Sequence, residues 1–103
     1  MNLLYNLSKL TITDVIAIHD YVQIILEDGS ILSLFNKITL LGSNSTIYTI
    51  KGCKIISVEQ DASSFKLYIT NNICVSMNLK SADYNGPEAL SLVTPSGNTI
   101  VVN

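Results

Sequence analysis

Apolar and polar residues alternate along most of this chain, and a period of two predicts β-strands. The strongest signal lies in residues 21–36, where two apolar runs flank Asp28-Gly29. Asp-Gly between alternating runs predicts a hairpin with a two-residue turn. That turn sets Leu26 against Ile31, Ile24 against Ser33 and Val22 against Phe35, giving one apolar face. The opposite face carries Glu27/Ser30, Ile25/Leu32, Gln23/Leu34 and Tyr21/Asn36 and is mixed.

The other elements follow from the same pattern. Leu3, Leu4 and Leu7 sit at helical spacing, which fits a turn or two of helix. Residues 10–19 read as a strand with Ile12, Ile16 and Ile18 on one face, and Asp14 interrupts that face, which predicts a bulge or a sheet edge. Residues 37–41 extend or follow the second arm of the hairpin, and residues 42–45 are a loop by composition. Residues 46–50 read as a short β-branched strand broken by Lys51-Gly52. Residues 54–60 form another strand with Ile56 and Val58 inward. Residues 65–70 follow, with Phe65, Leu67 and Ile69 inward.

Parity chooses the turns. Matching apolar faces around Asp61-Ala62-Ser63-Ser64 needs an even loop, and Ala62 disfavours the positive φ of a two-residue turn, so the loop has four residues. At Thr70-Asn71-Asn72 a two-residue loop would set apolar residues opposite polar ones. A three-residue loop pairs Ile69 with Ile73, Leu67 with Val75 and Phe65 with Met77, with Asn72 left-handed. Leu90 and Leu92 match Ile100 and Val102 across Pro95-Ser96-Gly97, a type I turn with a glycine bulge. Residues 80–89 are the longest polar break. The sum is a single all-β domain over residues 1–103: an antiparallel sandwich or half-open barrel of about seven to nine short strands joined by hairpins.

Composition sharpens this. Of 103 residues, 48% are hydrophobic and only 14% charged, against about 25% charged in ordinary globular domains. Some of the outer surface is therefore apolar, or a partner covers it. The net charge is −2, with no Arg and six scattered Lys, so the basic footprint of a nucleic-acid binder is missing. No basic region precedes a long apolar run near Met1, and no run approaches the ~20 residues of a membrane helix. A cytoplasmic protein with reduced Cys53 and Cys74 is expected.

Candidate chemistry is sparse. His19 is the single histidine and has no accompanying nucleophile or carboxylate motif, so it reads as a strand-end residue. One His and two isolated Cys do not make a metal site, and no cofactor is expected. Cys53 and Cys74 read as small strand-filling residues, and Ser8, Ser57 and Ser76 lack a nucleophile-elbow context. Glu27-Asp28 reads as a solubilising turn. Residues 83–90 support two readings. Asn85-Gly86-Pro87 punctuates a turn before a strand, or the loop binds a partner through Tyr84, Asp83 and Glu88.

The segment Asp83-Tyr84-Asn85-Gly86-Pro87-Glu88-Ala89 is followed by a strand, a glycine turn and a valine-rich end. With the earlier Asp20-Tyr21 and Asp28-Gly29 hairpin, it resembles small bacterial proteins encoded beside toxins: the immunity proteins of contact-dependent growth inhibition systems. The resemblance covers about half the chain. It implies a non-enzymatic cytoplasmic inhibitor that covers the active site of a cognate toxin domain, a basic nuclease of the ribonuclease A type. Acidic charge suits such a partner, since complementarity speeds association and fixes orientation. Under this reading Asp20, Tyr21, Asp28, Asp83, Tyr84 and Glu88 are interface contacts. Direct nucleic-acid, membrane and metal binding are not expected. The alternatives are a sheet face that self-associates and a small-ligand barrel.

Overall fold

The computed structural model describes residues 7–18, 21–42, 46–61, 63–79, 90–97 and 99–102. Nine strands run through them: β1 (Ile12–Ile18), β2 (Tyr21–Leu26), β3 (Ile31–Leu34), β4 (Ile38–Leu41), β5 (Ile55–Gln60), β6 (Ser64–Ile69), β7 (Ile73–Asn78), β8 (Leu90–Val93) and β9 (Thr99–Val102). They form two antiparallel sheets, ordered β1-β2-β3-β8-β9 and β4-β7-β6-β5. The sheets sandwich one core, and no closed barrel forms. The second sheet is a Greek key read backwards: β5, β6 and β7 are a meander, and β4 lies beside β7.

The core explains the registers. Ile24, Leu26, Leu32, Leu34, Leu90 and Leu92 of the first sheet are buried against Ile55, Val58, Phe65, Leu67, Val75 and Met77 of the second. Phe65, Leu67 and Ile69 point inward as their alternation requires. The pairs Ile69/Ile73, Leu67/Val75 and Phe65/Met77 form across the three-residue Asn loop. Asn72 is left-handed there, and so is Asn71, at φ 60° and 69°. Gln60 pairs with Phe65 across the four-residue loop. Asp61 closes that loop by accepting the backbone N–H groups of Ser63 and Ser64 at 2.7 and 2.8 Å. Leu90/Val102 and Leu92/Ile100 pair in the last hairpin, with Gly97 left-handed.

Four expectations are corrected. The Asp28-Gly29 hairpin has a three-residue turn. Val22 pairs with Leu34, Gln23 with Ser33, Ile24 with Leu32 and Ile25 with Ile31. The Leu26 N–H donates to the Ser30 carbonyl and the Gly29 N–H to the Leu26 carbonyl, both at 2.9 Å. Gly29 takes φ +93°, the left-handed position of a glycine bulge. Burying Ile24, Leu26, Leu32 and Leu34 together needs an odd loop, and this burial outweighs the local Asp-Gly preference.

The bulge expected in β1 exists, and it changes which residues face in. The register shifts between Ile12 and Asp14, so Ile12 and Val15 are buried while Ile16 and Ile18 turn outward. Side chains satisfy the broken ladder: the Thr13 hydroxyl donates to the Ile25 carbonyl at 3.1 Å, and the Asp14 carboxylate accepts the Val15 N–H at 2.9 Å. β5 repeats the device. Its register shifts between Ile55 and Ser57, so Ile55 and Val58 go in and Ile56 goes out, against expectation.

Residues 46–50 are not a strand; Ile47–Ile50 is a 3-10 helix. Its first turn closes when the Thr49 N–H and hydroxyl both donate to the Thr46 carbonyl. It delivers Ile50 to the core, and Lys51-Gly52 ends it with Gly52 left-handed.

One corner joins the sheets. The Lys9 and Ile55 N–H groups donate to Ile55 and Leu10 carbonyls, and the Ile12 and Gly52 N–H groups to Cys53 and Ile12 carbonyls, at 2.7–2.8 Å. Thr11 and Lys54 form an isolated bridge between them. The edge strands β1 and β5 are therefore tied to each other where they begin.

A candidate docking face

The core claims one parity of each strand, so the other parity is free to face outward. In the five-stranded sheet the outward set is Asp14, Ile16 and Ile18 of β1, Tyr21, Gln23 and Ile25 of β2, Ile31 and Ser33 of β3, Ser91 and Val93 of β8, and Thr99 of β9. Phe35 continues β3, and its ring lies 5.5 Å from that of Tyr21 at a tilt of 47°, a geometry that favours aromatic pairs. Ile16, Ile18 and Val93 are 36%, 39% and 40% exposed. Among these outward residues the charged side chain is Asp14, at the margin, facing Lys51 at 3.8 Å. Both partners are well exposed, so that pair contributes about 0–1 kcal/mol.

The four-stranded sheet presents a different surface. Thr39, Ser76, Lys66, Ser57 and Glu59 alternate outward, and the Tyr68 hydroxyl donates to the Glu59 carboxylate at 3.3 Å. Partial desolvation, then the Glu59 charge, raises the Tyr68 hydroxyl above its ordinary pKa. At one end Leu41, Ile56 and Cys74 line a shallow groove of about 450 Å³. Burial pushes the Cys74 thiol up, away from the thiolate a nucleophile requires. Both cysteines are free. Among the described residues, no three of His, Cys, Asp or Glu cluster as metal ligands, and no helix is long and apolar enough to cross a membrane.

A second groove, of about 340 Å³, opens beside the docking face. Ala17, Ile18, Tyr21 and Val22 form one wall, and Asn36, Lys37 and Ile38 the other. Asn36 lies where the chain crosses from β3 to β4, and it is 4% exposed. Its side-chain amide donates to the Asn78 carbonyl at 2.7 Å, tying the crossover to the end of β7. Its Oδ1 is buried with no hydrogen-bond partner among the described residues. An unpaired buried acceptor costs about 1–3 kcal/mol.

Of the residues expected at an interface, Asp20, Asp83, Tyr84 and Glu88 lie outside the described residues, as does His19. Tyr21 stands on the docking face. Asp28 does not: it sits in the hairpin turn at the far end of β2, about 20 Å away along the strand. Its carboxylate accepts the Ser30 N–H at 2.8 Å and the Ser30 hydroxyl at 3.0 Å. Glu27 accepts the Thr11 N–H at 3.0 Å. Asp28 therefore shapes its turn and Glu27 ties that turn to Thr11, although both remain exposed.

Ile16 and Ile18 escaped sequence reasoning because the bulge reverses their face. Asn36 carries no sequence signal, since its burial follows from the crossover. Comparison with protein families, with characterised proteins and with solved structures gives no significant match.

Proposed function

We propose that this chain is a non-enzymatic binding protein that docks a protein partner through the outer face of its five-stranded sheet. The observation that carries this reading is the uncharged aliphatic surface of Ile16, Ile18, Ile25, Ile31 and Val93, with the Tyr21/Phe35 ring pair at its end. A fully buried interface centre is depleted in charge and enriched in aromatic side chains. Five strands at about 4.8 Å spacing and about 20 Å length offer roughly 400 Å². That suits the centre of an interface that buries about 800 Å² per partner, with flanking turns supplying the rim.

The partner we infer is a cognate bacterial toxin domain, a basic nuclease whose active site the chain covers in the cytoplasm. The resemblance to immunity proteins and the net charge of −2 support this choice. Under this reading Asp20, Asp83, Tyr84 and Glu88 are further partner contacts.

Co-expression with the C-terminal domain of the large secreted protein expected upstream tests the reading. Rescue of growth and a complex on a sizing column are expected. Toxicity without rescue overturns it. A second reading, self-association, is favoured by the lack of charge on the face, because nothing there repels another copy. Sedimentation at micromolar concentration decides: a clean monomer removes self-association.

A further inference from the structure

A strand at the edge of a sheet carries a row of unpaired N–H and C=O groups. The four-stranded sheet ends in β5 on one side and β4 on the other. β5 is guarded: its register shifts between Ile55 and Ser57, Lys54 before it bridges Thr11, and it carries Glu59. β4 has none of these devices. It pairs with β7 in unbroken register and contains no proline and no charge. All four of its residues are at least partly exposed, whereas β1–β3 and β5–β8 each bury at least one. Its inward residues Ile38 and Leu40 stand opposite the buried Met77 and Val75 and pack on the core, yet solvent reaches both.

The group complementary to such an edge is an extended backbone, which continues the ladder. Its side chains follow from parity. Aliphatic residues beside Ile38 and Leu40 complete the core. On the outward side the neighbours are Leu41, Thr39 and, one residue before the strand, the exposed Lys37. Lys37 lines a groove of about 440 Å³ with Thr39, Ser76 and Asn78. Among the described residues the ion pair is that of Lys51 with Asp14, so the Lys37 ammonium is available to an acid. A second copy of β4 does not supply one. Two-fold pairing centred on Thr39 sets Lys37 of each copy beside Leu41 of the other, and every other register also lacks an acid, because β4 contains none. A lysine at an edge disfavours such self-pairing.

We propose that the β4 edge takes up an extended segment of another protein as an antiparallel fifth strand, with aliphatic residues beside Leu41, Leu40 and Ile38 and an acidic residue beside Lys37. This does not rest on the docking face, which belongs to the other sheet, so either reading can fail alone.

The probe is the peptide acetyl-Val-Ile-Thr-Val-Glu-amide, titrated into the isolated chain labelled with nitrogen-15. Saturable shifts in the amide resonances of Ile38, Thr39, Leu40 and Leu41 are expected below about 1 mM peptide. Two N-methylated peptides test the ladder. One is methylated at its first, third and fifth residues, the other at its second and fourth. Alternate amides face the edge and the rest face solvent. One methylated peptide should therefore lose at least about tenfold in affinity, and the other should stay within about threefold of the parent. Lys37→Glu, at an exposed position, should weaken the parent about two- to fivefold and strengthen the peptide ending in Lys by a similar factor.

No saturable binding, shifts confined to another surface, equal losses from the two methylated peptides, or a charge preference that Lys37→Glu leaves unchanged would each overturn the proposal.

Discussion

The two sheets share one core but turn different chemistry outward. The four-stranded sheet shows Thr39, Ser57, Lys66, Ser76 and Glu59, with a Tyr68–Glu59 hydrogen bond at its centre and the exposed Leu41 and Ile56 at one end. The five-stranded sheet shows isoleucines, a valine, a tilted pair of rings and the uncharged polar Gln23, Ser33 and Ser91, and among the described outward residues its charge is confined to the Asp14 margin. Packing cannot account for this difference, since each sheet already satisfies the core with its inward parity. The outward parity is free, and water selects polar residues there unless something else meets the surface. The proposed docking through the five-stranded face rests on this contrast within one small domain.

The largest perturbation removes what both faces share. Phe65→Ala empties the middle of the core, where Phe65 is fully buried. It should cost about 3–5 kcal/mol, read as a fall in the urea midpoint, with both faces lost in one transition. Separate transitions for probes on the two sheets would show that the sandwich is not one cooperative unit.

Next comes a turn on the polar sheet. Gly42 has φ +87°, and a Cβ there would collide with the Asn72 carbonyl oxygen. Gly97 has φ +90° with no described atom near its Cβ position. Gly97→Ala should therefore cost about 1–2 kcal/mol from backbone conformation, and Gly42→Ala clearly more. Equal losses would show that the Asn72 loop yields freely.

The sharpest test of the contrast itself changes stability little. Ile16→Lys with Val93→Lys should leave unfolding free energy within about 1 kcal/mol, because both residues are well exposed. Partner affinity should fall at least tenfold. Leu41→Lys with Ile56→Lys, the matching change on the other sheet, should leave affinity unaltered. Equal effects from both pairs would erase the distinction between the faces.

The smallest effect concerns Asp61, whose carboxyl is held below its ordinary pKa of 3.8 mainly by the Ser63 backbone N–H. A depressed folded-state pKa contributes stability that is fully present above the unfolded value. It is lost as pH falls through the folded value. Thermal unfolding followed downward from about pH 5 should show a loss in the wild type that Asp61→Asn lacks. Parallel curves would remove Asp61 from the acid response.

Much of the architecture was legible from parity alone. Phe65, Leu67 and Ile69 against Met77, Val75 and Ile73 admit one register, and the chain adopts it. The same argument applied to Val22, Ile24, Leu26, Leu32 and Leu34 demands an odd loop, but the local Asp-Gly signal pointed to an even one. Long-range burial of several aliphatics outweighs the preference of one dipeptide. Bulges defeat parity by construction. Ile12/Val15 and Ile55/Val58 are spaced by three, and the outward turn of Ile16, Ile18 and Ile56 follows from that extra residue. The outward face was thus half hidden: alternation puts Ile16 and Ile18 on the face of Ile12, and the bulge separates them from it. The Asn36 groove could not be read at all, because it exists only where the crossover meets the ends of β1 and β2.

The pairing of β3 with β8 has a consequence for synthesis. Ile31 and Ser33 meet Val93 and Ser91, residues close to the C-terminal end of the sequence. While the chain is still on the ribosome, β1, β2 and β3 can form a meander, but β3 keeps an open edge and the face lacks its β8 third. Long-range pairing of this kind forms late. The proposed docking surface is therefore completed only once β8 has been synthesised, and a chain cut short before Leu90 lacks it.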